Sequence, residues 1–402
     1  MLIMDSQLAA HDVAWMRQAL ALAAGVMNIT TPNPRVGCVI VRDGRVLGQG
    51  ATQRAGGPHA EICALRDAAA AGHDVAGSTF YVTLEPCSHY GRTPPCVNAV
   101  LAARPARVVI AMNDPNPLVK GRGLAQLRQA GIQISTGVCL EEALEQNAGF
   151  ISRMTRARPW LWLKLAGSLD GRSALHNGVS QWITGEEARA DGHRWRARSC
   201  AVLTGIGTIL ADDPMLTPRA VATPRRPRRV IIDTHLRTPP QARILDGEET
   251  WIFTGAATDP GGASTRGMAC LPDEAAERAE RLRERHARII PMPLADGHVD
   301  LAAVMQWLGQ HDINEVHAEA GATLNGALLK AGCVDELIAY VAPMLLGDAT
   351  PLARLPALTE LPGGRDFAFT EMRPVGSDAF LRARRMSTWE TLRQSVQAVS
   401  TG

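Results

Sequence analysis

The first signal along the chain is periodic. Val13, Met16, Leu20 and Ala23 recur at helical spacing, which predicts an amphipathic helix near the N-terminus. Apolar runs then flank Arg42-Asp43-Gly44-Arg45, where Asp-Gly marks a hairpin turn. The pattern next predicts a helix over about 59–71, a strand over 79–84 and a short helix after Pro95. A strand over 108–112, a helix behind Gly121-Arg122-Gly123 and a strand over 132–135 follow. A helix from near Leu140 closes with Arg153, Arg156, Arg158 and Pro159, and cations with a proline at a helix end mark a domain boundary. The alternation then restarts, with strands over 160–166, 201–204, 229–233, 251–254, 315–318 and 337–341 and helices between them. Strands alternating with helices make an α/β protein whose sheets are covered on both faces. No internal repeat links the halves, so two different folds are expected.

Composition narrows the class. At 402 residues the chain is long for one domain and comfortable for two, and 46% apolar residues give each half a core. A net charge of +2 provides no general attraction to nucleic acid or anionic membrane. The eight cysteines are scattered, which reads as reduced cytosolic thiols with a few holding metal. His11, Asp12 and Arg17 interrupt any secretory leader, and no run approaches the roughly 18 apolar residues of a membrane span. A soluble cytoplasmic protein is expected. The densest basic stretch, 224–229, lacks interleaved aromatic residues and predicts a solvated loop before a strand rather than a nucleic-acid site. Residues 274–288, dense in Glu and Arg, predict an exposed, ion-paired helix.

The sharpest chemical signal is His59-Ala60-Glu61, followed by Pro86-Cys87 and Pro95-Cys96. Catalytic zinc takes three protein ligands and keeps one position open for water. His59, Cys87 and Cys96 supply one imidazole and two thiolates. Glu61, two residues beyond its ligand at a helix start, can reach an activated water without binding the metal. The pattern is that of zinc nucleobase deaminases, with a Glu as proton shuttle. Cys87 is expected at a helix N-terminus, which favours its thiolate. One feature departs from the short motif: eight residues, 88–95, separate the cysteines. They allow a lost site with merely buried cysteines, or a deaminase with an inserted substrate loop. His89 is a rival ligand, and a structural zinc site would want it as a fourth.

Thr31-Pro32-Asn33-Pro34-Arg35-Val36-Gly37, His59-Ala60-Glu61 and the run from Pro86 to Cys96 resemble the deaminase half of the bifunctional riboflavin biosynthesis family RibD. That family carries the long inter-cysteine loop. The resemblance implies a cytidine-deaminase-like, three-layer α/β/α domain over 1–152, one zinc ion on His59, Cys87 and Cys96, and Glu61 as catalytic residue. It also implies a diaminopyrimidinone substrate bearing a phosphoribosylamino group. Asn33, between two prolines, either holds the pyrimidine edge or is a turn residue. Lys120-Gly121-Arg122-Gly123 at a helix start suits a phosphate, as does Arg92 in the inserted loop.

The second half opens without a Rossmann fingerprint. Thr204-Gly205-Ile206-Gly207-Thr208 lacks the third glycine, and Glu319-Ala320-Gly321 sits where a strand passes into a helix. Each glycine alone reads as a tight turn; recurrence at several strand ends favours one shared crevice. Lys164 to Arg172, Ser180 to Gly185, residues 204–208, Asp212 to Arg219 and residues 319–321 resemble the reductase half of the same family. The likeness runs in order from about residue 10 to 385. It implies a dihydrofolate-reductase-like α/β domain over 158–390 that uses NADPH to reduce the ribosyl group to ribityl phosphate. Carried over by position, NADPH contacts fall on Ala166, Trp182, Thr208, Asp212, Thr234, Gly321, Ala322, Thr323, Leu324, Asn325, Gly326 and Ala327. Substrate contacts fall on Ser180, Arg196, Leu216, Arg219 and Glu319. Arg196 and Arg219 can grip a phosphate with forked donors. Trp182 offers the nicotinamide a flat face, unless it is an ordinary core residue. Lys164 can polarise the carbonyl or imine of the opened sugar.

Three rivals remain. A tRNA or free-base deaminase with an appendage conflicts with the weak charge and the long loop. A nucleotide-sensing regulator without turnover would be expected to lose Glu61 or a zinc ligand. One active half beside a decayed one would have lost a polar set. Relatives imply a homodimer or a higher assembly, with a small molecule as the only other partner.

Overall fold

The computed structural model describes residues 2–90, 94–116, 119–219, 221–257, 269–270, 273–360 and 366–397. The chain divides into two compact units, Met1–Ala157 with Trp389–Gly402, and Arg158–Thr388.

The first unit runs α1 (Leu2–Gly25), β1 (Gly37–Arg42), β2 (Arg45–Ala51), α2 (Ala60–Ala70), β3 (Thr79–Val82), α3 (Cys96–Ala103), β4 (Arg107–Ile110), α4 (Arg122–Gln129), β5 (Gln133–Thr136) and α5 (Leu140–Arg156). Its sheet has the order β2-β1-β3-β4-β5, with β1 antiparallel to both neighbours and the last three strands parallel. The Asp-Gly signal is realised as a turn with positive φ at both Asp43 and Gly44, the conformation a tight hairpin demands. Helix α1 packs with α5, and α3 packs with both α2 and α4. Asp12, buried on α1, ties the helix to the sheet: Tyr81 Oη donates to it at 2.9 Å and the Arg107 guanidinium at 2.9 and 2.7 Å. Helix α2, which carries the zinc motif, lies almost on β2. A Cβ at Gly50 would meet the Cys63 Cβ at 2.4 Å, so glycine permits this approach.

The second unit is built on nine strands: β6 (Trp160–Ser168), β7 (Ala201–Gly205), β8 (Arg228–Ile232), β9 (Thr250–Thr254), β10 (Ala287–Pro291), β11 (Glu315–Ala318), β12 (Glu336–Ala342), β13 (Phe367–Val375) and β14 (Asp378–Arg385). Between them lie α6 (Glu186–Arg198), α7 (Ile206–Asp212), α8 (Asp273–Glu284), α9 (Leu301–Gln310) and α10 (Ala322–Lys330). The order is β10-β9-β8-β7-β11-β6-β12-β14-β13, parallel through β12 and antiparallel at the β14–β13 edge. Both sheet faces are buried. Leu203, Val230 and Phe253 enter one apolar cluster, while Val202, Ile231 and Ile252 enter another. This two-sided burial makes the central strands continuous apolar runs. Helix α11 (Met386–Val396) follows β14.

Two expectations are refined. The acidic-basic helix ends at Glu284, and Arg288 already belongs to β10. The basic run is a loop before a strand, as expected, with Pro224 and Arg226 exposed, but two of its arginines are turned inward. Arg225 Nη2 donates to the carbonyls of Ala197, Arg198 and Ser199 at the end of α6, and Arg229 donates to the carbonyls of Asp246 and Glu248. These cations satisfy carbonyls left without intrahelical or strand partners.

Across β6, β12 and β14 runs a buried carboxylate network. Glu336 accepts from the indole nitrogens of Trp160 (3.2 Å) and Trp162 (2.7 Å), and from Arg382 (2.9 Å) and Arg384 (3.0 Å). Removing it strands two buried guanidinium groups. Glu336→Ala is therefore expected to cost about 3–5 kcal/mol, read as a lower denaturant midpoint by tryptophan fluorescence. A change under about 1 kcal/mol would mean that the network relaxes without it.

Candidate active sites

The zinc motif assembles in the first unit. His59 is the N-cap of α2 and places Glu61 in the first helical turn. Cys87 follows β3, and Cys96 is the first residue of α3. The helix N-terminus expected at Cys87 is supplied by α3: the Cys96 peptide N–H donates to Cys87 Sγ at 3.3 Å, and the Val97 N–H donates to the Cys87 carbonyl. His59 Nδ1 stands 3.6 Å from Cys87 Sγ and 3.3 Å from Cys96 Sγ, and all three ligand atoms lie within 4.8 Å of one another. Tetrahedral zinc with ordinary bond lengths separates such N and S atoms by about 3.5 Å, so the set fits the ion. Among the described residues this is the one such cluster, and His89 is outside it. Arg92 lies outside the described residues.

Hydrogen bonding to Cys96, opposed by burial and aided by His59, draws the Cys87 thiol down to about 4, while the same bond and burial push Cys96 up. Burial first, then the Cys87 charge, raises the Glu61 carboxyl to about 7. Glu61 is 4% exposed. A buried carboxyl poised near neutrality beside a metal triad suits a group that both takes and gives a proton.

Asn33 occupies a turn, its N–H bonded to the Thr30 carbonyl, with its side chain half-buried. The phosphate expected at Lys120-Gly121-Arg122-Gly123 meets an obstacle that the sequence hid. The N–H groups of Gly121 (3.1 Å), Gly123 (3.2 Å) and Leu124 (3.5 Å) already donate to the buried carboxylate of Glu85. That helix end is satisfied from within the unit.

In the second unit several of the nominated residues lie at the carboxyl ends of the parallel strands, where open α/β sheets bind ligands. Lys164 and Ala166 lie toward the end of β6, Thr208 and Asp212 on α7 after β7, Thr234 after β8, and Glu319 after β11. The two glycine turns meet: a Cβ at Gly205 would come 3.0 Å from Leu324 Cδ2, and one at Gly321 would come 4.0 Å from Thr208 Oγ1. Gly321 caps α10 with no side-chain bond to the helix, leaving Ala322, Thr323 and Leu324 at an uncapped N-terminus. Thr204 Oγ1 and Asp233 Oδ1 are buried at these strand ends without a protein partner. A phosphate-bearing cofactor fits this edge, since it brings both an anion for the helix and polar groups for the orphaned atoms. Asn325 Nδ2 bonds the Leu352 carbonyl, and Gly326 packs on Arg354, so these two positions face the 352–354 segment. Ala327 is half-buried further along α10, and the Thr234 hydroxyl accepts from Val299 N.

Glu319 is the hub of the substrate set. It holds the Arg196 guanidinium in a two-pronged pair, with the Nη2 bond at 2.9 Å, and lies 3.5 Å from Lys164 Nζ. Despite burial, these cations hold its carboxyl well below the usual range, Arg196 before Lys164. Arg196 is thus half of an ion pair rather than the bare cation expected from sequence. Arg219 is exposed, and its N–H bonds His193 Nδ1 at 3.3 Å. His193, which also faces Arg196 at 3.4 Å, was missed from sequence; its spacing of three from Arg196 on α6 was the available signal. Leu216 is buried with φ +52°, and Ser180 is half-buried in the loop before α6. Trp182 is 67% exposed, with Arg189 stacked 4.4 Å over its ring, which removes the core-residue alternative.

Comparisons with known proteins follow the same division. The RibD C-terminal domain family matches residues 159–381, and the cytidine and deoxycytidylate deaminase zinc-binding region matches 9–112. The riboflavin biosynthesis protein RibD of Escherichia coli (strain K12) is 46% identical over 385 residues, covering 92% of this chain and 98% of its own. That of Haemophilus influenzae is 40% identical, covering 92% and 97%. The solved structure of Acinetobacter baumannii RibD, form 1, is similar with a TM-score of 0.81 at 39% identity, covering 94% of this chain and 99% of that one. A deaminase/reductase from Thermotoga maritima gives 0.80 at 30% identity with the same coverage.

Because the folded Glu319 pKa is depressed, its stabilisation is complete above the unfolded value and lost as pH falls through the folded one. Glu319→Gln is expected to lower the denaturant midpoint clearly at pH 7, and the gap from wild type should narrow only below about pH 4.3. Equal midpoints at pH 7 would mean that the pair contributes nothing.

Proposed function

Because the chain belongs to the RibD family of riboflavin biosynthesis proteins, we propose how its two units divide two successive reactions. The protein is a bifunctional riboflavin biosynthesis enzyme with a cytidine-deaminase-like domain and a RibD reductase domain. Our reading of the substrate is 2,5-diamino-6-(5-phosphoribosylamino)pyrimidin-4(3H)-one. It is first deaminated hydrolytically and then reduced at the ribosyl carbon to a ribityl phosphate.

The convergence of His59, Cys87 and Cys96 beside buried Glu61 carries the first assignment. Zinc held by these ligands supplies a Lewis acid that makes water nucleophilic near neutral pH. Glu61 takes the proton of the attacking water and returns it to the departing amino nitrogen. The carbon–nitrogen bond breaks, ammonia leaves and a carbonyl remains. Asn33 holds the pyrimidine edge in this reading.

NADPH supplies the hydride in the second reaction. Gly321 through Leu324 offer peptide N–H groups to its phosphate, with Ala166, Trp182, Thr208, Asp212, Thr234 and the Asn325–Gly326–Ala327 turn completing its surroundings by analogy with the family. Ser180, Arg196, Leu216, Arg219 and Glu319 orient the ribosyl phosphate, and the Lys164 ammonium donates to the sugar atom that gains charge as hydride arrives. Supporting this reading is the placement of Lys164, Ala166, Thr208, Asp212, Thr234, Glu319 and Gly321 at or just beyond the carboxyl ends of the parallel strands.

The choice of NADPH over NADH and a homo-oligomeric assembly are carried over from relatives. A cytoplasmic setting is our reading, supported by the seven described cysteines standing outside any disulfide. Among the described residues no helix is long and apolar enough to cross a membrane. The comparisons offer no support for a regulator without turnover, and Glu61 and its three neighbours are all present.

Zinc-loaded protein given the diaminopyrimidinone is expected to release ammonia first and oxidise NADPH afterwards. Glu61→Gln should retain zinc, lose about 10²–10⁴-fold in ammonia release and still reduce supplied deaminated intermediate. Ammonia without NADPH oxidation would sink the second assignment. Lys164→Met should slow reduction by about 10²-fold or more with ammonia release untouched, and a normal rate would remove Lys164 from the chemistry.

A further inference from the structure

The chain visits the deaminase unit twice. Residues after Trp389 follow the whole second unit in sequence yet cluster with the first. Both matched family regions, 9–112 and 159–381, stop short of them. On α11, Trp389, Leu392 and Val396 are buried at 6%, 0% and 1% exposure. Trp389 Nε1 donates to Glu141 Oε2 at 3.2 Å, and Arg393 Nε to Glu141 Oε1 at 2.6 Å, fastening the helix to the start of α5.

The end of α11 makes the contact of interest. The Val396 carbonyl, one of those a helix leaves without an internal partner, accepts from the Asn113 N–H at 3.0 Å. Asn113 begins a segment tied directly to the metal-binding chain. The next N–H, from Asp114, donates to Glu85 Oε2 at 3.3 Å, and the Met112 carbonyl accepts from the Glu85 N–H at 3.0 Å. Glu85 precedes Cys87 by two residues. Asn113 and Asp114 are themselves 7% and 6% exposed, so the segment is packed rather than free.

We propose that α11, encoded after the reductase domain, is a positioning element of the deaminase site: its terminal carbonyl sets the 112–116 segment against the Glu85–Cys87 stretch. The inference rests on the first unit being the deaminase. Neither Val396 nor Leu392 touches the reacting atoms; they act through Asn113 and Glu85. The effect should appear in deamination and spare reduction, although the helix is contiguous with the last reductase strand.

The test compares the full chain, a chain ended after Thr388, and full-length Leu392→Asp and Leu392→Ile. For each, ammonia release, bound zinc and reduction of supplied deaminated intermediate are measured. Wild type must deaminate; if it does not, the functional reading fails and the helix is not at issue. Expected for the truncation and for Leu392→Asp is a fall of about 10–100-fold in deamination kcat/KM, with zinc retained and reduction within about twofold of wild type. Leu392→Ile should keep the wild-type rate, and a peptide of residues 386–397 should restore deamination to the truncated chain. Unchanged deamination in either disruptive variant would overturn the proposal. Loss of zinc together with deamination in both would also overturn it, by making α11 a general brace of the unit.

Discussion

A carboxylate taken out of water must be surrounded by donors, and Glu85 meets this with peptide N–H groups drawn from Asp114, Gly121, Gly123 and Leu124. Burial pushes its pKa up and these four bonds pull it back. The bonds fasten the start of α4 and the 112–114 turn to the chain just before Cys87. A metal ligand on a loop is only as well placed as what the loop is tied to. The Cys87 side of the zinc triad is therefore held through a residue outside that triad.

The reductase unit answers the same constraint with cations. Glu336 is enclosed by two indoles and two arginines, and it joins β6, β12 and β14 across the change from parallel to antiparallel pairing. Glu319, just beyond the end of β11, is enclosed by Arg196 and Lys164. One buried acid makes the scaffold rigid. The other lies between two cations that would otherwise repel.

What the sequence disclosed and what it hid follow from the range of the interactions. His59, Glu61, Cys87 and Cys96 could be read because zinc dictates both residue type and local spacing. The central strands could be read because burial on both faces makes them continuous apolar runs. The β13–β14 hairpin escaped because its edge strand alternates exposed polar and apolar residues and contains Pro374, so no run stands out. Glu85 and Glu336 escaped because their partners lie tens to hundreds of positions away. The inward turn of Arg225 in the basic loop escaped because a helix's unpaired carbonyls leave no mark in sequence. The chain passes from one unit to the other at Ala157–Arg158 and returns at Trp389, and nothing in the sequence marked that return.

That return has a consequence in time. The strands of the first unit leave the ribosome before residue 157, whereas α11 emerges only after the whole of the second unit. At ordinary elongation speeds the interval is roughly 10–50 s. During it the nascent deaminase unit holds its sheet without its final helix, so the unit begun first is the one closed last. The order of the halves in the gene is then not interchangeable. Cutting the chain near residue 157 leaves the N-terminal product short of one of its own helices, and placing the reductase first would move that helix into the middle of the chain.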